Sequence, residues 1–179
     1  SIIVVFFTVL LSIIIGVTLA WLISAYDFPF RKFFRWALIL PLAIPPYIGA
    51  YTYSGMVSYT GVIQRFFRNI LGVELNQKYF DIMSIEGAIF IFTLFLFPYV
   101  YMVTMTFLEK QSAGLIESAR LLGSSAIGIF FRVIIPVSRG AIVAGSTLIA
   151  LEVLSDYGVV SYLGVQTFST AIFKSWISL

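Results

Sequence analysis

The sequence has no cysteine and no histidine among its 179 residues, and only 11% of its residues are charged. These absences exclude a disulfide framework, thiol chemistry and an ordinary zinc site. The net charge of +3 rests on few, scattered basic residues, which argues against nucleic-acid binding. The chain also lacks a phosphate-binding Gly-Lys-Ser/Thr loop, so it is not itself an ATPase. We therefore expect no catalytic residue, no metal site and no cofactor bound by this chain.

Apolar residues make up 60% of the chain, and the mean hydropathy is +1.04. Soluble domains are only about 45–50% apolar, so this composition indicates an integral membrane protein. A membrane-spanning helix needs about 20 apolar residues, and barrel strands are shorter and alternate in polarity. Four segments meet the helical requirement, at about 2–24, 36–59, 87–108 and 136–162. The sequence predicts an all-α, polytopic transmembrane helix bundle.

The positions of basic residues suggest how these spans are oriented. Arg31, Lys32 and Arg35 lie in the first connector, close to the end of the first span. Basic residues near spans favour the cytoplasmic side, so we place the first and third connectors there. The chain begins without Met and enters its first span at once, and its end carries no terminal signal. We expect a single transmembrane domain that is an excerpt of a longer protein.

The third connector, at about 112–135, is a polar, helix-forming insert between two spans. Gly123 can end its first helix in a left-handed cap, and Ser124 or Ser125 can cap a second helix. Pro136 fits the first turn of the next element. The pattern predicts a helix, a sharp turn and a second helix, with an apolar edge and a charged rim. From pattern alone, the insert is either a knob that docks in another protein or an amphipathic linker on the membrane surface.

This insert resembles the EAA loop of permease subunits of binding-protein-dependent ABC importers. The resemblance rests on Glu117-Ser118-Ala119, on Gly123 and on Ile134-x-Pro136, with Ser118 in place of the first Ala and Ile135 in place of Leu. In that family the loop is the coupling helix, which sits in a cleft of the cytoplasmic ATPase. The resemblance implies that the ATPase contacts are Glu117, Ser118, Ala119, Leu122 and Gly123.

The motif at 40–47 resembles the Pro-rich span of these permeases. Those at 97–101, 151–158 and 166–170 resemble the iron(III)-type branch, in the N-terminal half of a fused permease. Importers of thiamine, polyamines and aminoethylphosphonate share much of this pattern. The resemblance implies the type I permease fold, in part, in a bacterial inner membrane. It also implies partners: ABC ATPase subunits that use ATP, an extracytoplasmic substrate-binding protein, a second permease half and membrane lipid.

Two features inside the predicted spans are candidates for the translocation path. Pro41, Pro45 and Pro46 interrupt one span, either as a bent gate or pore-lining segment or as a static kink that aids packing. Glu152 and Asp156 are four residues apart on one predicted helix face. Because a carboxylate inside a membrane is costly, this pair is predicted either to line the path or to lock two helices together.

The sequence thus predicts the permease component of an ATP-driven importer, with iron(III) as the favoured substrate. Two alternatives from other classes remain open at this point. One is a membrane scaffold protein whose polar insert binds a cytoplasmic partner without transport. The other is a proton- or ion-coupled carrier that uses Glu152 and Asp156.

Overall fold

The computed structural model describes residues 1–58, 61–71, 82–111, 114, 118, 119, 121 and 123–178. Over these residues the chain is helical and contains no β-strand, which confirms the predicted all-α polytopic fold. Three of these helices, Ile2–Ala25, Ile85–Lys110 and Ala126–Ser155, are long and apolar enough to cross a membrane. The helices are α1 Ile2–Ala25, α2 Arg31–Ala37, α3 Pro46–Val57, α4 Val62–Phe66, α5 Ile85–Gln111, α6 Ala126–Ser155, α7 Gly158–Tyr162 and α8 Phe168–Ile177.

Helix α5 is the centre of the bundle and packs between α1 and α6. Ile91, Phe92 and Val100 of α5 are fully buried and form the middle of the larger apolar core. Val159 and Val160 of the short helix α7 are buried in the same core. Burial of these side chains holds α7 against the long helices.

Two glycines let the long helices approach α5 closely. A Cβ atom on Gly16 of α1 would lie 3.0 Å from the backbone nitrogen of Tyr101. A Cβ atom on Gly145 of α6 would lie 2.8 Å from the Cα atom of Val100. Small residues at such crossings are typical of transmembrane helices, where close backbone contact supplies much of the packing energy. The crossings at Gly16 and Gly145 lie at the same level of α5, so they fix all three helices around one point.

The second predicted span, 36–59, is not one continuous helix. Arg31–Ala43 and Pro46–Val57 form a pair of helical segments that meet at an angle of 94°. Ile44 between them is extended, with φ −111° and ψ 120°. Pro45 has no N–H to continue a helix, and Pro46 opens α3 in the first turn, where a missing N–H costs nothing. The prolines therefore produce a sharp corner rather than a moderate kink.

Helix α6 differs from the predicted span 136–162 at both of its ends. The helical run begins at Ala126, and within it the α-helix Ile135–Ser155 has Pro136 in its first turn, as the sequence predicted. The turn before this proline, Phe130–Ile134, is a π-helix, in which the N–H of Ile135 donates to the carbonyl of Phe130. This wider turn accommodates the proline ring within a continuous helix. At the other end the helix stops at Ser155, since Asp156 has an extended ψ of 129°.

Contacts at the two ends of the bundle show which connectors lie together. The backbone N–H of Phe168, at the start of α8, donates to the Oγ of Ser1 over 2.6 Å. At the opposite end, Arg35 forms an ion pair with Glu109, near the end of α5. The first and third connectors, which were predicted to share a side, therefore begin at the same end of the bundle.

Candidate functional site

The third connector, residues 112–135, is called the coupling loop here after the loop that it resembles, and it contains the left-handed turn that Gly123 predicts. Gly123 has φ +76°, a conformation that costs a residue with a side chain about 1–2 kcal/mol. The N–H of Ser124 donates to the carbonyl of Ala119 over 3.1 Å, which is the long bond of a Schellman cap. Gly123 thus ends one helical segment and redirects the chain.

Ser125 starts the next helix immediately after this turn. Its Oγ accepts a hydrogen bond from the backbone N–H of Gly128 at 3.2 Å, as an N-cap residue does. Of the two serines that the sequence offered as caps, Ser125 fills the role. The turn at Gly123 and the cap at Ser125 together fix the angle at which the coupling loop meets α6.

The remaining predicted contact residues of the loop occupy different environments. Ser118 is exposed, and its Oγ donates to the carbonyl of Gly114 over 2.7 Å. Ala119 is half-buried against the smaller apolar cluster, which includes Ile23 of α1. Glu117 and Leu122 lie outside the described residues, so their contacts stay a prediction.

Two exposed apolar side chains flank the turn and were not singled out from the sequence. Leu121 is 89% exposed, and Ile127 is also largely exposed. Among the apolar residues beside the turn, the resemblance to the EAA loop had selected the adjacent Leu122 instead. The exposure of Leu121 could have been predicted from its position two residues before Gly123, where the chain changes direction. These two side chains add apolar surface to the tip of the coupling loop.

An ion pair joins the first connector to the end of α5, where the coupling loop begins. The guanidinium of Arg35 lies 2.7 Å from the carboxylate of Glu109. The hydroxyl of Tyr101 also donates to the backbone carbonyl of Arg35 over 3.2 Å. These contacts connect residues 66 and 74 positions apart, so no local sequence pattern could have indicated them.

Arg31 folds the first connector back onto the end of α1. Its guanidinium pairs with Asp27, and its Nε donates to the carbonyl of Ile23 over 2.6 Å. A cation at a helix C-terminus is favourable because the last carbonyls carry partial negative charge. Arg31 and Arg35, two of the three basic residues used to predict the orientation, therefore also form ion pairs within the chain.

The carboxylates predicted to lie on one face are separated by the end of α6. Asp156 is outside the helix, and its Oδ1 accepts a hydrogen bond from the N–H of Val159 over 2.8 Å. Asp156 therefore caps the start of α7. Glu152 is exposed on the last turn of α6, and within the described residues its carboxylate forms no ion pair or hydrogen bond. Their predicted role in the translocation path stays a prediction.

Three tyrosines form a group where α3 meets α7, and we call it the tyrosine cluster. The rings of Tyr47 and Tyr162 have centroids 5.9 Å apart, and those of Tyr51 and Tyr162 are 5.8 Å apart. Tyr47 directly follows the Pro45–Pro46 corner. The cluster therefore lies beside two residues that the sequence predicted for the path.

The described part of the chain holds no group of three or more His, Cys, Asp or Glu side chains close enough to bind a metal ion. The arrangement is a helix bundle with a shaped loop at one end and two interrupted helices in contact. It defines a polytopic membrane protein that has a left-handed turn and a capped helix start at one end of its bundle.

Comparison with known sequences assigns the family. Residues 12–177 match the family described as the binding-protein-dependent transport system inner membrane component. This match covers most of the chain, so the protein belongs to that family of ABC importer permeases. It is accordingly a multi-pass inner-membrane protein.

Several curated relatives transport different substrates according to their names. The chain is 31% identical over 165 residues to the Fe(3+)-transport system permease protein FbpB 2 of Haemophilus influenzae, covering 92% of this chain and 28% of the relative. It is 27% identical over 151 residues to the sulfate transport system permease protein CysW of Escherichia coli, covering 84% and 49%. It is 27% identical over 156 residues to the spermidine/putrescine transport system permease protein PotB of Escherichia coli, covering 87% and 56%. The chain thus spans about half or less of the length of these relatives.

Proposed function

We propose that this chain forms part of the translocation path of an ATP-driven importer and couples that path to a separate ATPase. The match to the permease family over residues 12–177 is the observation that carries the proposal. In this function the chain makes and breaks no covalent bond. It converts the movement of a docked partner into the movement of a gate.

The proposed complex contains two permease halves, two cytoplasmic ATPase subunits and an extracytoplasmic substrate-binding protein. ATP and substrate must bind the outward-open and inward-open states with different affinity, because only differential binding can shift the equilibrium between states. The ATPase subunits bind ATP, and this chain transmits the shift through its coupling loop.

The coupling loop is the proposed docking surface for the ATPase. Leu121 and Ile127 present exposed apolar surface at its tip, and Gly123 and Ser125 hold the tip in a fixed turn. An apolar centre with a polar rim is the composition of many protein interfaces. Glu117 is proposed to meet a basic or polar group of the ATPase.

Substitution of Gly123 tests this docking surface. Gly123→Ala places a Cβ atom on a residue with φ +76°, at a cost of about 1–2 kcal/mol in the native turn. We expect the turn to shift and the ATPase to bind the intact permease several-fold more weakly. The measurement is the dissociation constant between the ATPase and the permease in lipid nanodiscs.

Gly114→Ala is the matched control in the same loop. A Cβ atom at this position would have no neighbour within 4 Å, and the backbone of Gly114 is helical. We expect this variant to bind the ATPase as the parent protein does. Equal binding by the Gly123→Ala and Gly114→Ala variants would contradict the proposed role of the coupling loop.

For the substrate we propose iron(III). The motifs at 97–101 and 151–158 and the similarity to the FbpB 2 permease support this choice. The similarities to sulfate and polyamine permeases supply the competing substrates. The test is ATP-dependent uptake of radiolabelled iron(III), sulfate, putrescine, thiamine and aminoethylphosphonate by the intact importer, with its binding protein, in proteoliposomes. Uptake of another of these substrates in place of iron(III) would overturn the assignment, and uptake driven by a proton gradient without ATP would overturn the importer itself.

A further inference from the structure

Two interruptions in the helices meet within the described structure. The first is the extended backbone at Ile44 and Pro45, after which α3 begins. The second is the extended backbone at Asp156, after which α7 begins. A Cβ atom on Gly158, the first residue of α7, would lie 3.3 Å from the Cβ atom of Tyr47. The starts of the two helices are therefore in van der Waals contact.

This contact lies well inside the thickness of the bundle. On the opposite face of α3, the ring of Tyr53 packs against Phe95, with centroids 6.5 Å apart. Phe95 is about ten residues from the start of the long helix α5, which corresponds to about 15 Å along its axis. Irregular backbone at such a depth is tolerated only where it is covered by protein or lines a water-filled cavity.

The side chains at this contact are amphipathic rather than purely apolar. Tyr51 is 63% exposed, and the rings of Tyr47 and Tyr51 both meet Tyr162 edge-on. Tyr47 is 47% exposed, so two of the three phenol groups are open to the surroundings of the chain. A phenolic hydroxyl in hydrocarbon normally finds a partner, which lipid tails cannot supply. Exposed Glu152, one helical turn before Asp156, adds a group that needs water or a polar partner.

We propose that the tyrosine cluster forms a water-accessible constriction of the translocation path, closed by Tyr162 against Tyr47 and Tyr51. The proposal rests on the proposed importer function and names the residues that form its gate. Both helices that contribute to the cluster begin at a break, so each can tilt without disturbing a continuous hydrogen-bond ladder. Separation of α7 from α3 would part the rings and open the constriction.

Cysteine accessibility tests this assignment, since the chain contains no cysteine of its own. Tyr51→Cys and Tyr162→Cys are introduced singly into a cysteine-free intact importer in proteoliposomes. A charged, membrane-impermeant methanethiosulfonate reagent is added with and without ATP and the substrate-binding protein. We expect both cysteines to react, with rates that differ at least several-fold between the two conditions.

Tyr53→Cys is the matched control, because it lies two residues from Tyr51 on the face of α3 that packs against Phe90 and Phe95. We expect this cysteine to stay unreactive in every condition. If Tyr51→Cys does not assemble, Tyr162→Cys carries the same test. Unreactive cysteines at both positions in all conditions would mean that water does not reach the cluster. That result would contradict the proposed constriction.

Uptake by the cysteine-free parent separates this proposal from the importer function on which it rests. ATP-dependent uptake by the parent, together with unreactive cysteines, would overturn the constriction alone. Absence of ATP-dependent uptake in the parent would overturn the proposed function, whatever the cysteines show.

Discussion

The crossing of α6 over α5 at Gly145 gives a prediction whose size can be worked out from the structure. A Cβ atom at this position would lie 2.8 Å from Cα and 3.1 Å from N of Val100, and 3.2 Å from the carbonyl oxygen of Tyr99. All three neighbours are backbone atoms, so no side-chain rotation can relieve the contact. Gly145→Ala must therefore separate the two helices or strain them.

Gly140→Ala on the same helix isolates the cost of this contact. A Cβ atom at Gly140 would meet no atom within 4 Å. Both substitutions replace glycine by alanine inside a helix and gain the same propensity of about 1 kcal/mol. That gain cancels in the comparison, which leaves the overpacking cost of about 1–3 kcal/mol. We expect Gly145→Ala to be less stable than Gly140→Ala by this amount, or about 5- to 150-fold in the ratio of folded to unfolded protein.

The assay is reversible unfolding of each intact permease variant in mixed micelles, followed by helix content as the denaturing detergent is increased. Equal stability of the two variants would refute the reasoning, because it would mean that α6 does not approach the backbone of α5 at Gly145. A larger loss for Gly140→Ala would refute it as well.

Two further predictions concern the cap of α7 and the ion pair between the first connector and α5. Asp156→Ala removes the cap of α7 and should speed hydrogen exchange at the Val159 amide about fivefold, since caps contribute about 1 kcal/mol; Asp156→Asn, which keeps an acceptor, should change it less. Unchanged exchange in Asp156→Ala would show that the cap does not hold α7. A double-mutant cycle of Arg35→Gln and Glu109→Gln should give a coupling free energy of at most about 1 kcal/mol, falling in high salt, because both side chains are partly exposed. A coupling that is larger and independent of salt would contradict this surface setting.

The turn and the helix cap of the coupling loop could be predicted from the sequence, because they depend on the chemistry of neighbouring residues. Gly123 tolerates a left-handed backbone and Ser125 supplies an acceptor oxygen, and both residues act in the structure as their chemistry predicts. Features of this kind depend on a few neighbouring residues. The long helices α1 and α5 could be predicted equally well. A long apolar segment in a membrane must satisfy its backbone hydrogen bonds internally, and a helix does so.

The features that sequence reasoning missed are of two kinds. Some depend on contacts between distant residues, and others on a choice between backbone conformations that the same residues allow. Pro136 lies in the first turn of an α-helix as predicted, but the π-turn that joins this helix to the residues before it was not foreseen. Asp156 suggested a partner of Glu152 on one helix face, but the chain leaves the helix there. The crossing at Gly145 and the pair of Arg35 with Glu109 join residues that only the tertiary fold brings together.

The continuity of α6 bears on how the coupling loop could act on the path. One helix of 30 residues connects the cap at Ser125 to the break at Asp156, after which α7 begins. Its crossing at Gly145 lies about 30 Å from Ser125 and about 16 Å from Asp156 along the helix. A rigid tilt about this crossing would therefore move the end at Asp156 by about half the displacement of the loop, and in the opposite direction. The π-turn at Phe130–Ile134 lies on the longer arm, between the Ser125 cap and the crossing.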